Sequence, residues 1–189
     1  MRGSIDHDAL ALLHGPRRPS LDMRALAAFD LKLRPITEAD FPFLRTLHVE
    51  LRAADFVLAP GGAAGRAALI EQQFQLQHRH FVKAYPRGDF WIVERADSAI
   101  GRFYIDRGKP DWHAIELGLH AAERGRGVGT ALLRWLQERA AAARATRLLL
   151  HVAVTNLAAV RLYERLGFVE VASDWSTHRR MVWLSPNAG

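Results

Sequence analysis

Residues 123–133 read ERGRGVGTALL, with Gly125, Gly127 and Gly129 alternating with larger residues directly ahead of a leucine-rich run. Glycine inside a regular element costs about 0.5–1 kcal/mol relative to alanine. A cluster of them is therefore useful where the chain needs positive φ or where another molecule must come close to the backbone. Before the cluster, HAIELGLH (113–120) alternates as a strand does; after it, apolar residues recur with the helical period from about Val128 to Arg144. The first amides of a helix lack internal partners and sit at the positive end of its dipole. A glycine-rich turn feeding such a terminus is an anion site suited to phosphate, with Arg124 and Arg126 adding charge at the rim. The competing reading is a plain glycine-capped turn between a strand and a helix.

Two common phosphate motifs do not fit. A P-loop requires a lysine after its last glycine, and none is present here. A dinucleotide fingerprint counted from Gly125 meets Thr130 at its third glycine position. The preceding strands also form a meander rather than the opening of a βαβ unit.

The rest of the pattern is mixed. LKLRPIT (31–37) predicts a short strand, TEADFPFLRTLHVELRAADF (37–56) a helix capped by Thr37, and LAPGGAAG (58–65) a loop. RAALIEQQFQLQHRHFVKAY (66–85) predicts a second long helix. FWIVERA, IGRFYIDRG and HAIELGLH then predict an antiparallel meander. After the glycine run and its helix come a buried strand, RLLLHVAV, a helix, NLAAVRLYERLG, closed by Gly167, and a final strand pair. Residues 1–30 read as a separate extension, with short helices in DALALLHG and, capped by Ser20, in SLDMRALAAFD; residues 31–189 form one domain.

Composition narrows the function classes. Cysteine is absent, which excludes disulfides, thiolate metal sites and a cysteine-bound intermediate. The net charge of +6 is spread over arginines at helical spacing among acids, not in a dense basic strip, so no nucleic-acid partner is expected. No apolar run is long enough to span a bilayer, so no membrane partner is expected and the cytoplasm is the expected location. His78 and His80 stand two apart on a helix, too poorly aligned for a shared metal. They read as surface or groove residues, and no metal is expected.

The glycine run RGRGVGTALL resembles the acetyl-CoA signature of the GNAT N-acetyltransferase superfamily, R/Q-x-x-G-x-G/A, through Arg124, Gly127 and Gly129. NLAAVRLYERLGF is similar to the family's second block through Asn156, Ala159, Tyr163, Gly167 and Phe168. The resemblance covers about residues 31–184. It implies an α/β (α+β) fold: a mixed central sheet with an antiparallel N-terminal meander, splayed central strands, and helices on both faces. It implies acetyl-CoA as cosubstrate and direct acetyl transfer to a primary amine on a small-molecule or peptide acceptor, by a monomer or homodimer.

The same resemblance suggests roles. The amides of Arg126, Gly127, Val128, Gly129 and Thr130 take the pyrophosphate, while backbone near Leu119 and His120 stabilises the oxyanion. Asn156 binds the pantetheine amides, caps its own helix, or both. Tyr163 protonates the leaving thiolate, or is a core tyrosine. Glu116 is a general base, or pairs with an arginine such as Arg102. His151 is a second base candidate, or a satisfied core histidine. Strand alternation puts Glu116, Gly118 and His120 opposite Ile115, Leu117 and Leu119. Two rival readings are a catalytically silent acyl-CoA-binding module and, against the missing third glycine, a dinucleotide enzyme.

Overall fold

The computed structural model describes residues 20–56, 62–108 and 110–186. Its helices are α1 (Arg24–Ala27), α2 (Phe41–Arg52), α3 (Gly62–Ala84), α4 (Val128–Ala142) and α5 (Leu157–Arg165). Its strands are β1 (Leu31–Pro35), β2 (Asp89–Arg95), β3 (Ser98–Asp106), β4 (Asp111–Leu119), β5 (Arg147–Ala153), β6 (Val169–Val171) and β7 (His178–Leu184). They form a seven-stranded sheet in the order β1-β2-β3-β4-β5-β7-β6, antiparallel except between β4 and β5. This is the expected mixed sheet with an antiparallel N-terminal meander.

The two sheet faces carry separate cores. Trp91, Phe103, Ile105, Leu132, Trp135, Leu136 and Val160 pack under α4 and α5. Phe41, Leu44, Phe74, Val82, Ile92 and Tyr104 pack under α2 and α3. The described part of the N-terminal extension joins the first core. Leu26 is buried there, and the Trp135 indole N–H donates to the Asp22 carbonyl at 2.8 Å. Met23, not Ser20, stands at the N-cap of α1, and it makes no side-chain cap. The helix expected in DALALLHG lies outside the described residues. Of the loop expected over 58–65, residues 62–65 belong to α3, which begins at Gly62, since Ala63 and Ala64 are strong helix formers that offset the two glycines; residues 58–61 lie outside the described ones.

The feature that shapes the site is the parting of β4 from β5. The two strands pair only from Asp111–Arg147 to Ala114–Leu150. At that point β4 carries a bulge: Tyr104 of β3 faces Glu116 while Ile105 faces Ala114, leaving Ile115 as an extra residue. A bulge bends its strand and breaks the period of two. Ala114, Leu117 and Leu119 accordingly pack with the α4 core, whereas Ile115 packs with the α2–α3 core. Simple alternation had placed Ile115 opposite Glu116; the bulge brings the two onto one face. β5 meanwhile continues against β7, from Arg147–Leu184 to Ala153–His178. The result is a gap through the sheet.

Gly101 holds one side of that gap in register. A Cβ built on it would lie 2.5 Å from the Gly118 carbonyl oxygen and 2.6 Å from Leu119 Cδ2. Gly101→Ala must therefore push β3 and β4 apart, with an expected loss of about 1–3 kcal/mol. Chemical denaturation of the variant checks this, and an unchanged midpoint contradicts it.

Candidate active site

At one end of the gap lies the glycine turn. Gly125 and Gly127 have φ of 72° and 84°, in the left-handed region, and a Cβ on either would meet no atom within 4 Å. Their absent side chains leave open space above the backbone. Gly129 does a different job: a Cβ there would sit 3.3 Å from Leu162 Cδ2, so this glycine lets α5 approach α4. The first helical bond of α4 runs from Ala131 N–H to the Gly127 carbonyl at 2.9 Å. The amides of Gly127, Val128, Gly129 and Thr130 precede it and have no acceptor among the described residues. They form a run of donors without acceptors at the positive end of a 15-residue helix, with Gly127 exposed, Gly129 and Thr130 half-buried and Val128 buried. The Arg126 side chain is held at the rim by Glu123, at 3.1 Å. Arg124 folds the other way, its Nε donating to the Leu119 carbonyl at 3.0 Å.

The block from Asn156 to Phe168 is a helix with both ends fastened. Asn156 Oδ1 accepts from Ala159 N–H at 3.2 Å, so the residue does cap α5. It also lines the gap. At the other end Gly167, with φ of 81°, reverses the chain. Phe168 N–H donates to the Tyr163 carbonyl at 3.0 Å and Gly167 N–H to the Glu164 carbonyl at 2.9 Å, the paired bonds of a Schellman motif. The Phe168 ring then packs on the Tyr163 ring, with centroids 5.8 Å apart. The glycine and the phenylalanine thus fix where Tyr163 points, which is into the gap.

The gap itself, a cleft of about 180 Å³, is lined by Glu116 and Leu117 of β4, His151 and Ala153 of β5, Asn156 and Tyr163. Its β4 wall is an unpaired main-chain edge. His120 N–H donates to the Ile100 carbonyl at 2.9 Å, which makes that couple a hydrogen-bonded pair. Antiparallel alternation makes Gly101–Leu119 and Phe103–Leu117 the next non-bonded pairs. The N–H groups of Leu117 and Leu119 therefore point away from β3, into the gap. The Leu119 N–H is thus free on the gap side, whereas the His120 amide, expected to share its part, is already used. The His120 ring instead meets Glu50, Nδ1 to Oε2 at 2.5 Å. Leu117 is the addition that sequence reasoning missed, because the pair alternation depends on the register with β3.

Glu116 and Tyr163 reach the gap from opposite faces of the sheet. Glu116 Oε1 accepts from Arg102 Nη2 at 2.8 Å, and Arg102, only 2% exposed, reaches Gln77 Oε1 at 3.3 Å. The sequence left Glu116 open between a base and an arginine partner; the pairing with Arg102 is present. Burial, with the Glu116 charge adding to it, pushes the Tyr163 hydroxyl up to about 12. Tyr163 thus keeps its proton through neutral pH. His151 stacks on Trp175, with centroids 4.7 Å apart and planes at 29°, and meets the His113 ring edge-on at 5.3 Å. Burial, helped by the charges of Arg180 and His178, pulls His151 below the ordinary histidine value, which favours a neutral ring. Tyr85 Oη lies 3.1 Å from His113 Nδ1. Trp175, an aromatic whose sequence readings are an apolar pocket wall or core packing, stands at the site, whereas His113 carried no sequence signal toward it.

One residue expected at the surface or in a groove belongs to the core. His78 is 5% exposed, between the Phe41 and Phe74 rings. It occupies the buried i, i+4 stripe of Ile70, Phe74 and Val82, which overrides its polarity. His48, 1% exposed, lies nearby. Burial, followed by the charges of Arg102 and Arg52, pushes its pKa from 6.5 down to about 4. The unfolded chain then binds this proton near pH 6.5 and the folded chain only near pH 4. Stability is full above pH 6.5 and falls as the pH drops toward 4, by about 2 kcal/mol at most from this residue at pH 5. Urea midpoints at pH 7 and pH 5 should differ less in His48→Leu than in the natural chain. An equal difference contradicts the assignment.

Among the described residues no group of acidic, histidine or cysteine side chains is arranged to hold a metal, and no helix is long and apolar enough to cross a membrane. Comparison with known proteins agrees with the geometry. The chain is 32% identical over 152 residues to a mycothiol acetyltransferase of Sanguibacter keddieii, covering 79% of this chain and 43% of that protein. It therefore spans less than half the length of that relative. Its fold is similar to the PaiA N-acetyltransferase of Thermoplasma acidophilum in complex with coenzyme A (TM-score 0.62, 13% identity, 82% of this chain and 98% of that one). It is also similar to spermidine N-acetyltransferase of Vibrio cholerae in complex with CoA and spermine (TM-score 0.58, 20% identity, 85% and 98%). A sequence profile described as the Acetyltransferase (GNAT) family matches residues 57–168. With that match over the glycine turn, the gap and α5, the chain belongs to the GNAT family of acetyltransferases.

Proposed function

We propose that the protein moves an acetyl group from acetyl-CoA to a primary amine. The observation that carries this is the unpaired edge of β4, running from the open end of α4 to the point where Glu116 and Tyr163 converge. The residues fit the cosubstrate. Amides of Arg126 to Thr130 suit its diphosphate, and the Leu119 amide, with Asn156, suits the amide-bearing arm. Proteins of similar fold solved in complex with CoA support the choice of cosubstrate. When bound, acetyl-CoA supplies an activated thioester.

The chain's own groups divide the proton work. The amine nitrogen bonds to the acetyl carbon as the carbon–sulfur bond breaks. Tyr163 gives its proton to the departing sulfur. The acceptor ammonium first loses one proton toward Glu116 or His151, directly or through water, so that its nitrogen can attack; the second proton, shed as the amide forms, restores Tyr163 through solvent. Leu117 N–H, facing the gap beside Glu116, steadies the developing negative oxygen. Because Arg102 holds Glu116, we assign that carboxylate the relay of a proton rather than its storage.

The test is amine-dependent thiol release from acetyl-CoA, with the amine product gaining one acetyl group by mass spectrometry. Thiol release at the same rate with and without every amine tried would contradict transfer.

A further inference from the structure

The gap opens, on the α2–α3 face, into a second recess of about 430 Å³ that shares His151 with it. Leu149, His151, Trp175 and Arg180 line this recess. His151 and Arg180 are cross-strand partners on β5 and β7, so their Cβ atoms lie about 4.5–5.5 Å apart on one face. The charges around the gap are otherwise spoken for: Arg102 pairs with Glu116 at 2.8 Å, Arg52 with Asp55 at 3.2 Å and Arg179 with Glu170 at 3.1 Å. Arg180 is half-buried, yet it has no carboxylate within 4.0 Å among the described residues. A half-buried guanidinium with its fork unfilled is suited to a planar, two-oxygen anion. The Trp175 indole, 58% exposed and stacked on His151, forms a wall beside it. Asp174 also lines the recess, from the exposed β6–β7 loop.

This inference rests on the acetyl-transfer reading and narrows its acceptor. We propose that the acceptor is a small amine that also bears a carboxylate, with Arg180 holding the carboxylate and the amine lying past His151 at the mouth of the gap. Arg180 stands where a second ammonium would lie and Glu116 is already engaged by Arg102, which disfavours a polycation although Asp174 lines the exposed side of the recess. No new chemistry is needed: the attacking nitrogen, the broken thioester and the proton transfers are those given above.

The experiment measures kcat/KM for the proteinogenic L-amino acids, for simple dipeptides, for the matched carboxamides, and for spermidine, using thiol release from acetyl-CoA. At least one carboxylate-bearing amine should exceed its carboxamide by about tenfold, mainly through KM, as one charge-assisted contact provides. Arg180→Gln should cut that preference to below about threefold, and Arg180→Lys, which keeps charge but not the fork, should fall between. The wild-type comparison stands even if a variant folds poorly. The proposal is overturned if spermidine or a carboxamide is preferred, if no carboxylate-bearing amine is acetylated, or if Arg180→Gln keeps the full preference. A thermal shift with acetyl-CoA separates the two levels. If the shift is present and the carboxylate preference is absent, only the acceptor assignment fails. If acetyl-CoA gives no shift, the transfer reading fails with it.

Discussion

Gly127→Val is expected to weaken acetyl-CoA binding by about 30-fold or more while leaving a folded protein. Gly127 sits at φ 84° as the N-cap of α4. A β-branched residue in that left-handed conformation costs about 1–2 kcal/mol of stability. That cost is tolerable because a Cβ there meets nothing within 4 Å. The same open space is where a diphosphate must approach the amides of Gly127 to Thr130. An added isopropyl group therefore both fills the cradle and turns its donors, removing charge-assisted hydrogen bonds worth roughly 1.5–3 kcal/mol each. Calorimetric titration, beside a melting curve, reads affinity and stability separately. Affinity that follows stability, with no excess loss, would contradict the cradle.

The second large effect is on turnover. Tyr163→Phe should lower kcat by about 100-fold, the low end for loss of a general acid. The KM for acetyl-CoA should stay within about threefold, because the hydroxyl is asked to act chiefly as the thioester breaks. Stability should change little, since the ring's contact with Phe168 survives the substitution. With the hydroxyl pushed up to about 12, the natural enzyme should show no loss of activity attributable to Tyr163 ionisation between pH 7 and pH 9. Steady-state kinetics across that range checks both points. A variant with kcat within threefold of the natural chain would remove Tyr163 from the chemistry.

What the sequence revealed follows from how local each signal is. The glycine turn and the α5 block are short-range devices. Positive φ at Gly127 and Gly167, the Asn156 cap and the Schellman bonds to Tyr163 and Glu164 all lie within a few residues of the motifs that announce them. Features that depend on register were not legible. Ile115 is a bulge only because β3 pairs on both sides of it, and the His120 amide is lost to Ile100 for the same reason. His78 was open to a better reading, since Ile70, Phe74 and Val82 flank it at four-residue spacing. The Arg102–Glu116 couple was one of two options in the sequence; the burial of Arg102 is what demands a counter-charge. Trp175 lies on a loop, where no periodicity points to His151.

Hydrogen–deuterium exchange with and without coenzyme A tests the central claim most directly. Saturating coenzyme A should slow exchange in two places together: at Arg126–Thr130, whose amides have no acceptor among the described residues, and at Leu117 and Leu119, whose N–H groups face the gap. Unchanged exchange in both segments at saturation, or protection confined to another part of the sheet, would contradict the account.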